Sequence, residues 1–257
     1  VGTRNGLARL DPGADSFETF RHEPDNPASL SDNSVRVLYE DRDGRLWVGT
    51  FGAGINVLED ASGTFQRFAH EPGNVRSLSH DRVRAIFQDY NGTLWVGTDR
   101  GLNEWRPAEG GFAHYFHSAS DDASLGDDGI TAIVQDRGGV LWVGTFNGAN
   151  RWNYLSDAFT YFQAEGTALR LSSNVVTSVS ESRSGDIWVA TYGGGLNRIN
   201  EAVGAATHYS AAGSELPDDR VMTVHTDPNG KVWMGTRSGG LSLLDPETGA
   251  FSHYRHD

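Results

Sequence analysis

Six positions in this chain share one local setting and differ in chemistry. Each follows a recurring Gly-Thr or Ala-Thr pair, and they are Arg4, Phe51, Asp99, Phe146, Tyr192 and Arg237. Aromatic rings at such positions can stack on sugar faces. An arginine can grip a carboxylate such as a uronate through two parallel hydrogen bonds. A second column is always Asn or Asp: Asn33, Asp81, Asp128, Asn174 and Asp219. Side chains of this type favour bonding to nearby backbone, which is the expected role here. The residue after each one varies, as Ser34, Arg82, Gly129, Val175 and Arg220, with Arg36 and Arg84 two positions further on in their repeats. Together Arg36, Arg82, Arg84 and Arg220 would attract an anionic ligand, although the chain carries a net charge of −13. The structural alternative is that the rings tuck between loops and the arginines pair with local aspartates. The sequence leaves both readings open.

Other chemistries find little support. Cysteine is absent, which removes disulfides and thiolate metal sites. Lys231 is the only lysine and the balance is strongly acidic, which argues against a nucleic-acid partner. There is no Gly-rich phosphate loop ending in Gly-Lys-Ser/Thr and no Gly-x-Ser-x-Gly nucleophile elbow. His22-Glu23-Pro24 and His70-Glu71-Pro72 superficially suggest a zinc helix, but Pro opposes a helix and no second His follows at the required spacing. His22, His70, His117 and His256 instead occupy one repeat column and are not expected to share a metal. No cofactor is expected.

The elements that would position the six residues repeat. Leu46-Trp47-Val48-Gly49-Thr50 returns at 94–98 and 141–145, with variants Ile187-Trp188-Val189-Ala190-Thr191 and Val232-Trp233-Met234-Gly235-Thr236. The tryptophans recur every 45–48 residues, a period typical of propeller blades or helical solenoids. Short β-rich runs between Gly, Asp and Asn turns decide for blades. One repeat reads as four strands: Val35 to Tyr39, Leu46 to Thr50, Ile55 to Leu58 and Phe65 to Phe68, the last pair joined by a turn around Ser62-Gly63. Asp41, Asp89, Asp136 and Asp227 stand three before a Gly, as type I turns prefer, and Ser182 is the variant. Trp47 and Gly49 share a strand face. The Trp is expected to fill the gap between blades and the Gly to leave room for a neighbour. Gly6, Gly54, Gly101, Gly148, Gly195 and Gly240 open the third strands, where a positive φ or a close backbone approach is expected.

The expected fold is all-β: a β-propeller of four-stranded antiparallel blades, five full blades plus a partial first one. The repeats run at about 1–24, 25–72, 73–119, 120–166, 167–213 and 214–257. The first blade, with Val1 to Thr3, Gly6 to Leu10 and Phe17 to Phe20, lacks its first strand. A closed ring has no free edge. The chain is therefore expected to be part of a larger propeller, seven-bladed or double. It holds no signal peptide, no apolar run long enough for a bilayer and no initiating Met, as expected of an internal piece of a longer polypeptide.

These repeats resemble the two-component regulator propeller family. The resemblance rests on the Asp-x-x-Gly-x-Leu-Trp-Val-Gly-Thr runs at 41–50 and 89–98, and on Gly-Leu-Asn at 101–103 and 195–197. The linkers Ser-Leu-Ser-Asp-Asn-Ser-Val (29–35) and Ser-Leu-Ser-His-Asp-Arg-Val (77–83) also carry it. Ser182, Ala190 and Ala206 depart from the pattern. The resemblance implies an extracytoplasmic, periplasmic sensor region of a membrane-anchored bacterial signalling protein, dimeric in its parent. Its output would be a hybrid histidine kinase or a diguanylate cyclase, and its ligand often an oligosaccharide. The leading expectation is a non-catalytic module that senses a carbohydrate or related small molecule. The alternatives are a glycan-processing propeller enzyme, of lyase or endoglucanase type, and a protein-interaction scaffold.

Overall fold

The computed structural model of the protein describes residues 1–257 apart from 12, 14, 59–62, 155–157, 166–168 and 256–257. Six antiparallel sheets follow one another along the chain, each with its strands hydrogen-bonded in sequence order. The first has three strands, Gly2–Thr3, Gly6–Asp11 and Ser16–Phe20. The other five have four strands each and begin at Val35, Val83, Ile130, Val176 and Val221. This is the all-β architecture of propeller blades, here numbered one to six. The turn expected around Ser62-Gly63 lies partly outside the described residues, as does His256. By internal packing the chain forms two compact units, one of residues 1–116 and 128–130, the other of residues 117–127 and 131–257.

The sequence pattern explains each blade locally. In blade two the turn closes with Gly44 N–H donating to Asp41 C=O at 2.9 Å, and the same bond recurs from Gly92 to Asp89 at 3.0 Å. The Asp carboxylate does more than start the turn. One oxygen of Asp41 accepts the N–H groups of Asp43 and Arg45, and the other accepts the Trp47 indole N–H at 2.8 Å. Asp89 serves Trp95 at 3.0 Å and Asp136 serves Trp142 at 2.9 Å. The tryptophans do fill the space between blades. Trp47 packs with Leu78, Val83, Ile86 and Leu94 of blade three, and Trp142 packs with Leu171, Val176, Val179 and Ile187 of blade five.

The glycine expectations hold as well. A Cβ on Gly49 would stand 2.6 Å from Val83 Cγ1, and one on Gly144 would stand 2.6 Å from Val176 Cγ1. These glycines thus admit the first strand of the next blade. The third-strand glycines have positive φ, as at Gly54 (+75°), where a Cβ would fall 2.1 Å from the Phe68 carbonyl oxygen.

The Asn and Asp column bonds backbone, but further away than a local Asx turn. Asn33 Oδ1 accepts from His22 N–H at 2.8 Å and Asp81 Oδ1 from His70 N–H at 2.7 Å, across 11 residues. Their backbone carbonyls receive Gly6 N–H and Gly54 N–H at 2.7 and 2.9 Å. The column therefore ties each linker to the preceding blade. The histidines belong to the same seam: Nδ1 of His22 and of His70 lies 2.9 Å from the carbonyl oxygens of Leu30 and Leu78.

Candidate functional site

The two variable columns meet inside blades two, three, five and six. Phe51 N–H donates to Ser34 C=O at 2.9 Å and Asp99 N–H to Arg82 C=O at 3.1 Å. Tyr192 N–H donates to Val175 C=O at 2.8 Å and Arg237 N–H to Arg220 C=O at 2.9 Å. The residue that follows the second strand and the residue that precedes the first strand are thus neighbours in these blades.

In the first compact unit this brings a cationic cluster together. The first strands of blades two and three are irregular: pairing jumps from Val35 to Val37 and from Val83 to Ala85. Arg36 and Arg84 are the extra residues of these bulges, a device that re-aims a side chain out of the regular pleat. Arg36 Cζ lies 4.5 Å and Arg82 Cζ 4.3 Å from the Phe51 ring centroid, both within cation–π range. Arg82 reaches Asp99 at 2.7 Å, and Arg84 donates from Nε to the other Asp99 oxygen. Arg4 joins Ser34, Val35, Arg36 and Phe51 around a cavity of about 310 Å³.

The electrostatics of this cluster are lopsided. Four guanidinium groups gather with one carboxylate, and two of them pair with it. Burial would raise the Asp99 pKa, but the hydrogen bonds and charges of Arg84 and Arg82 outweigh it and hold the carboxyl below its ordinary range. Arg36 is pushed below the ordinary arginine value, first by burial and then by repulsion from Arg84 and Arg82, against the attraction of Asp99. Among the described residues Arg4 and Arg36 make no ion pair, and the buried Nε of Arg82 has no hydrogen-bond partner. The pairing alternative therefore accounts for Arg84 and for part of Arg82, and leaves Arg4 and Arg36.

The second unit holds a smaller cluster. Arg237 Nη1 donates to the Tyr192 hydroxyl at 2.7 Å. Arg220 is gripped by Asp218 through two bonds of 2.9 and 3.1 Å, and Asp218 also accepts from Ser238 at 2.7 Å. Those bonds, the Arg220 pair foremost, hold Asp218 well below the usual carboxylate range. Here the pairing alternative describes Arg220 well. Phe146 is 39% exposed at its position in blade four. Asp218 was not singled out from the sequence, although it stands two residues before Arg220.

Neither cluster has the pair of carboxylates that glycoside cleavage uses, one acid and one base or nucleophile. Asp99 and Asp218 are each committed to guanidinium groups. Among the described residues no group of three or more His, Cys, Asp or Glu could hold a metal ion. No helix among them is long and apolar enough to cross a membrane.

Five segments of the chain, residues 29–52, 77–100, 124–147, 170–193 and 215–238, match the two component regulator propeller family. Residues 29–238 carry five two-component regulator propeller repeats. Each match begins at the linker and ends just past the variable position after the second strand, so it contains both variable columns. Among solved structures, the chain is similar to the extracellular domain described as that of a hybrid two component system, BT3049, from B. thetaiotaomicron. The identity is 25% and the TM-score 0.77, over 87% of this chain and 30% of that one. A second extracellular domain from the same organism, described as that of a one component system, BT4673, shares 18% identity with a TM-score of 0.58. It is matched over 98% of this chain and 46% of that one. The chain thus spans less than half the length of either. Virginiamycin B lyase from Staphylococcus aureus shares the fold at 15% identity and a TM-score of 0.69, over 98% of this chain and 77% of that one. No curated protein matches the chain.

Proposed function

We propose that this propeller is a non-catalytic sensory module of an extracytoplasmic signalling protein, and that its first unit binds an acidic carbohydrate or a related small anion. The observation that carries this reading is the grouping of Arg4, Arg36 and Arg82 around Phe51, with Arg84 beside them and Asp99 as the carboxylate of the cluster. An apolar ring flanked by guanidinium groups offers a face for a sugar ring and charge for its carboxylate or sulfate. The family match and the two extracellular neighbours support the sensory role. Lyase activity gains nothing from the shared fold, because the same fold hosts unrelated functions.

Calorimetric titration with uronate-containing, sulfated and neutral oligosaccharides tests the reading. Acidic ligands are expected to bind with an affinity that falls as salt rises, since guanidinium contacts are screened. Arg36→Ala and Phe51→Ala should each weaken binding about tenfold, or roughly 1.4 kcal/mol. Equal binding of neutral sugars, or acidic binding untouched by both substitutions, would overturn it.

A further inference from the structure

The underside of the blades, where the turns between first and second strands lie, carries a latch in two places. In blade two the residue after the turn aspartate is Arg42. Its N–H donates to Gln88 Oε1 at 2.9 Å and its Nη1 to the Tyr90 carbonyl at 2.9 Å, both on blade three. In blade four the equivalent is Arg137. Glu181 of blade five accepts both its N–H, at 2.9 Å, and its Nε, at 3.2 Å, while Nη2 reaches the Ser182 carbonyl at 2.8 Å. Each latch needs a carboxylate or carboxamide at the end of the next blade's first strand.

Between blades five and six the latch is absent. The arginine is present as Arg183, but the receiving position holds Thr226, whose hydroxyl is used by Ser180 and the Glu181 carbonyl. The Arg183 guanidinium has no partner among the described residues. A second carboxylate is missing on the same wall. Ser182 stands where the other turns have Asp, and the indole Nε1 of Trp188, 1% exposed, has no acceptor. Beside this unlatched arginine lies a cavity of about 570 Å³, lined by Arg183, Trp188 and the blade-six residues Pro228, Lys231 and Pro246 among others. Its volume falls in the range of small-molecule sites. Two of its carboxylates are already neutralised, Asp186 by Arg198 at 2.7 Å and Asp245 by Lys231 at 2.6 Å, and Glu247 projects into solvent.

We propose that this cavity binds a small carboxylate, whose carboxylate group takes on Arg183 the place that Glu181 takes on Arg137. The site is independent of the arginine cluster in the first unit, and neither reading requires the other. Its ligand class follows from what the repeat supplies elsewhere and omits here: a two-oxygen acceptor that bridges an arginine's backbone N–H and its charged Nε. The buried Trp188 indole beside it is a built-in reporter.

The test is a titration of the 15N-labelled chain with acetate, succinate and glutamate, with chloride at matched ionic strength, read at the Arg183 amide and the Trp188 indole N–H. Saturable shifts with a Kd of about 1 mM or tighter are expected for at least one acid. Thr226→Glu places the missing carboxylate on the protein itself and should weaken binding tenfold or more. Arg183→Ala should do the same, and serves alone if the first variant fails to fold. No saturable shift with any acid, the same shift with chloride, or full binding by both Thr226→Glu and Arg183→Ala would overturn the proposal.

Discussion

The aspartate that opens each turn between first and second strands carries more than its position suggests. Asp89 is 1% exposed, accepts N–H groups from Asn91 and Thr93, and receives the Trp95 indole at 3.0 Å. Removing it strands several donors, and a buried donor without an acceptor costs about 1–3 kcal/mol. Asp89→Ala is therefore expected to destabilise the fold by about 3 kcal/mol in chemical denaturation. Asp89→Ser should cost less, because blade five shows how serine manages. Ser182 Oγ accepts the Asp186 N–H at 3.2 Å, so the turn survives while the Trp188 indole loses its acceptor. If alanine and serine cost the same, the turn contacts carry nothing and the indole bond carries everything.

At the scale of strands, two kinds of glycine do different work. The second-strand glycines make room for a side chain of the next blade, which can yield. The third-strand glycines make room for backbone, which cannot. Gly144→Ala pushes a methyl into Val176 and is expected to cost about 1–3 kcal/mol. Combined with Val176→Ala, the two changes should couple favourably by about 1 kcal/mol in a double-mutant cycle. Ala190 of blade five, fully buried beside Val221, shows that one such methyl can be housed. Gly54→Ala meets the Phe68 carbonyl at 2.1 Å from a backbone at φ +75°. It is expected to cost about 3 kcal/mol or more, with no side-chain change that relieves it. A mild Gly54→Ala would contradict this division. The same strand geometry explains Arg36 and Arg84: as the extra residues of bulges they leave the ladder and gather at Phe51 and Asp99.

Taken whole, the molecule is acidic, and several of its carboxylates are held below their ordinary range. Burial opposes this at Asp41, Asp99 and Asp186, and hydrogen bonds from Trp47, Arg84 and Arg198 respectively lead the groups that outweigh it. A carboxylate with a depressed folded pKa contributes stability that is fully present above the unfolded value, about 3.9 for Asp, and is lost as pH falls through the folded value. Stability should therefore be flat from neutral pH to about 5 and fall steeply below about 4. Asp99→Asn should be destabilising at pH 7, where it removes the carboxylate that Arg82 and Arg84 both bind. Its deficit should shrink as pH drops below about 4, where the unfolded wild-type carboxyl takes up a proton that the folded one resists. Urea melts of both proteins at several pH values check this, and a constant deficit across that range would refute it.

The sequence by itself determined the blades. Trp47, Gly49, Asp41 and Gly54 recur because each blade solves the same local problem, and a repeated solution is visible as a period. Strand limits, positive-φ glycines and the Trp-filled gaps were readable for this reason, and so were the two columns where repeats differ. Only the tertiary structure decided which of those columns' members act together. Phe51 meets Arg36 through a bulge and Arg82 through the neighbouring blade, while Arg220 is taken by Asp218 two residues away. The cavity at Arg183 was hidden for the same reason. Arg183 lines it without a latch because Thr226, 43 positions later, is too short to do what Gln88 and Glu181 do. Periodicity records what every blade must have. A binding surface depends on what one particular pair of blades lacks, and that pairing exists only once the chain has folded.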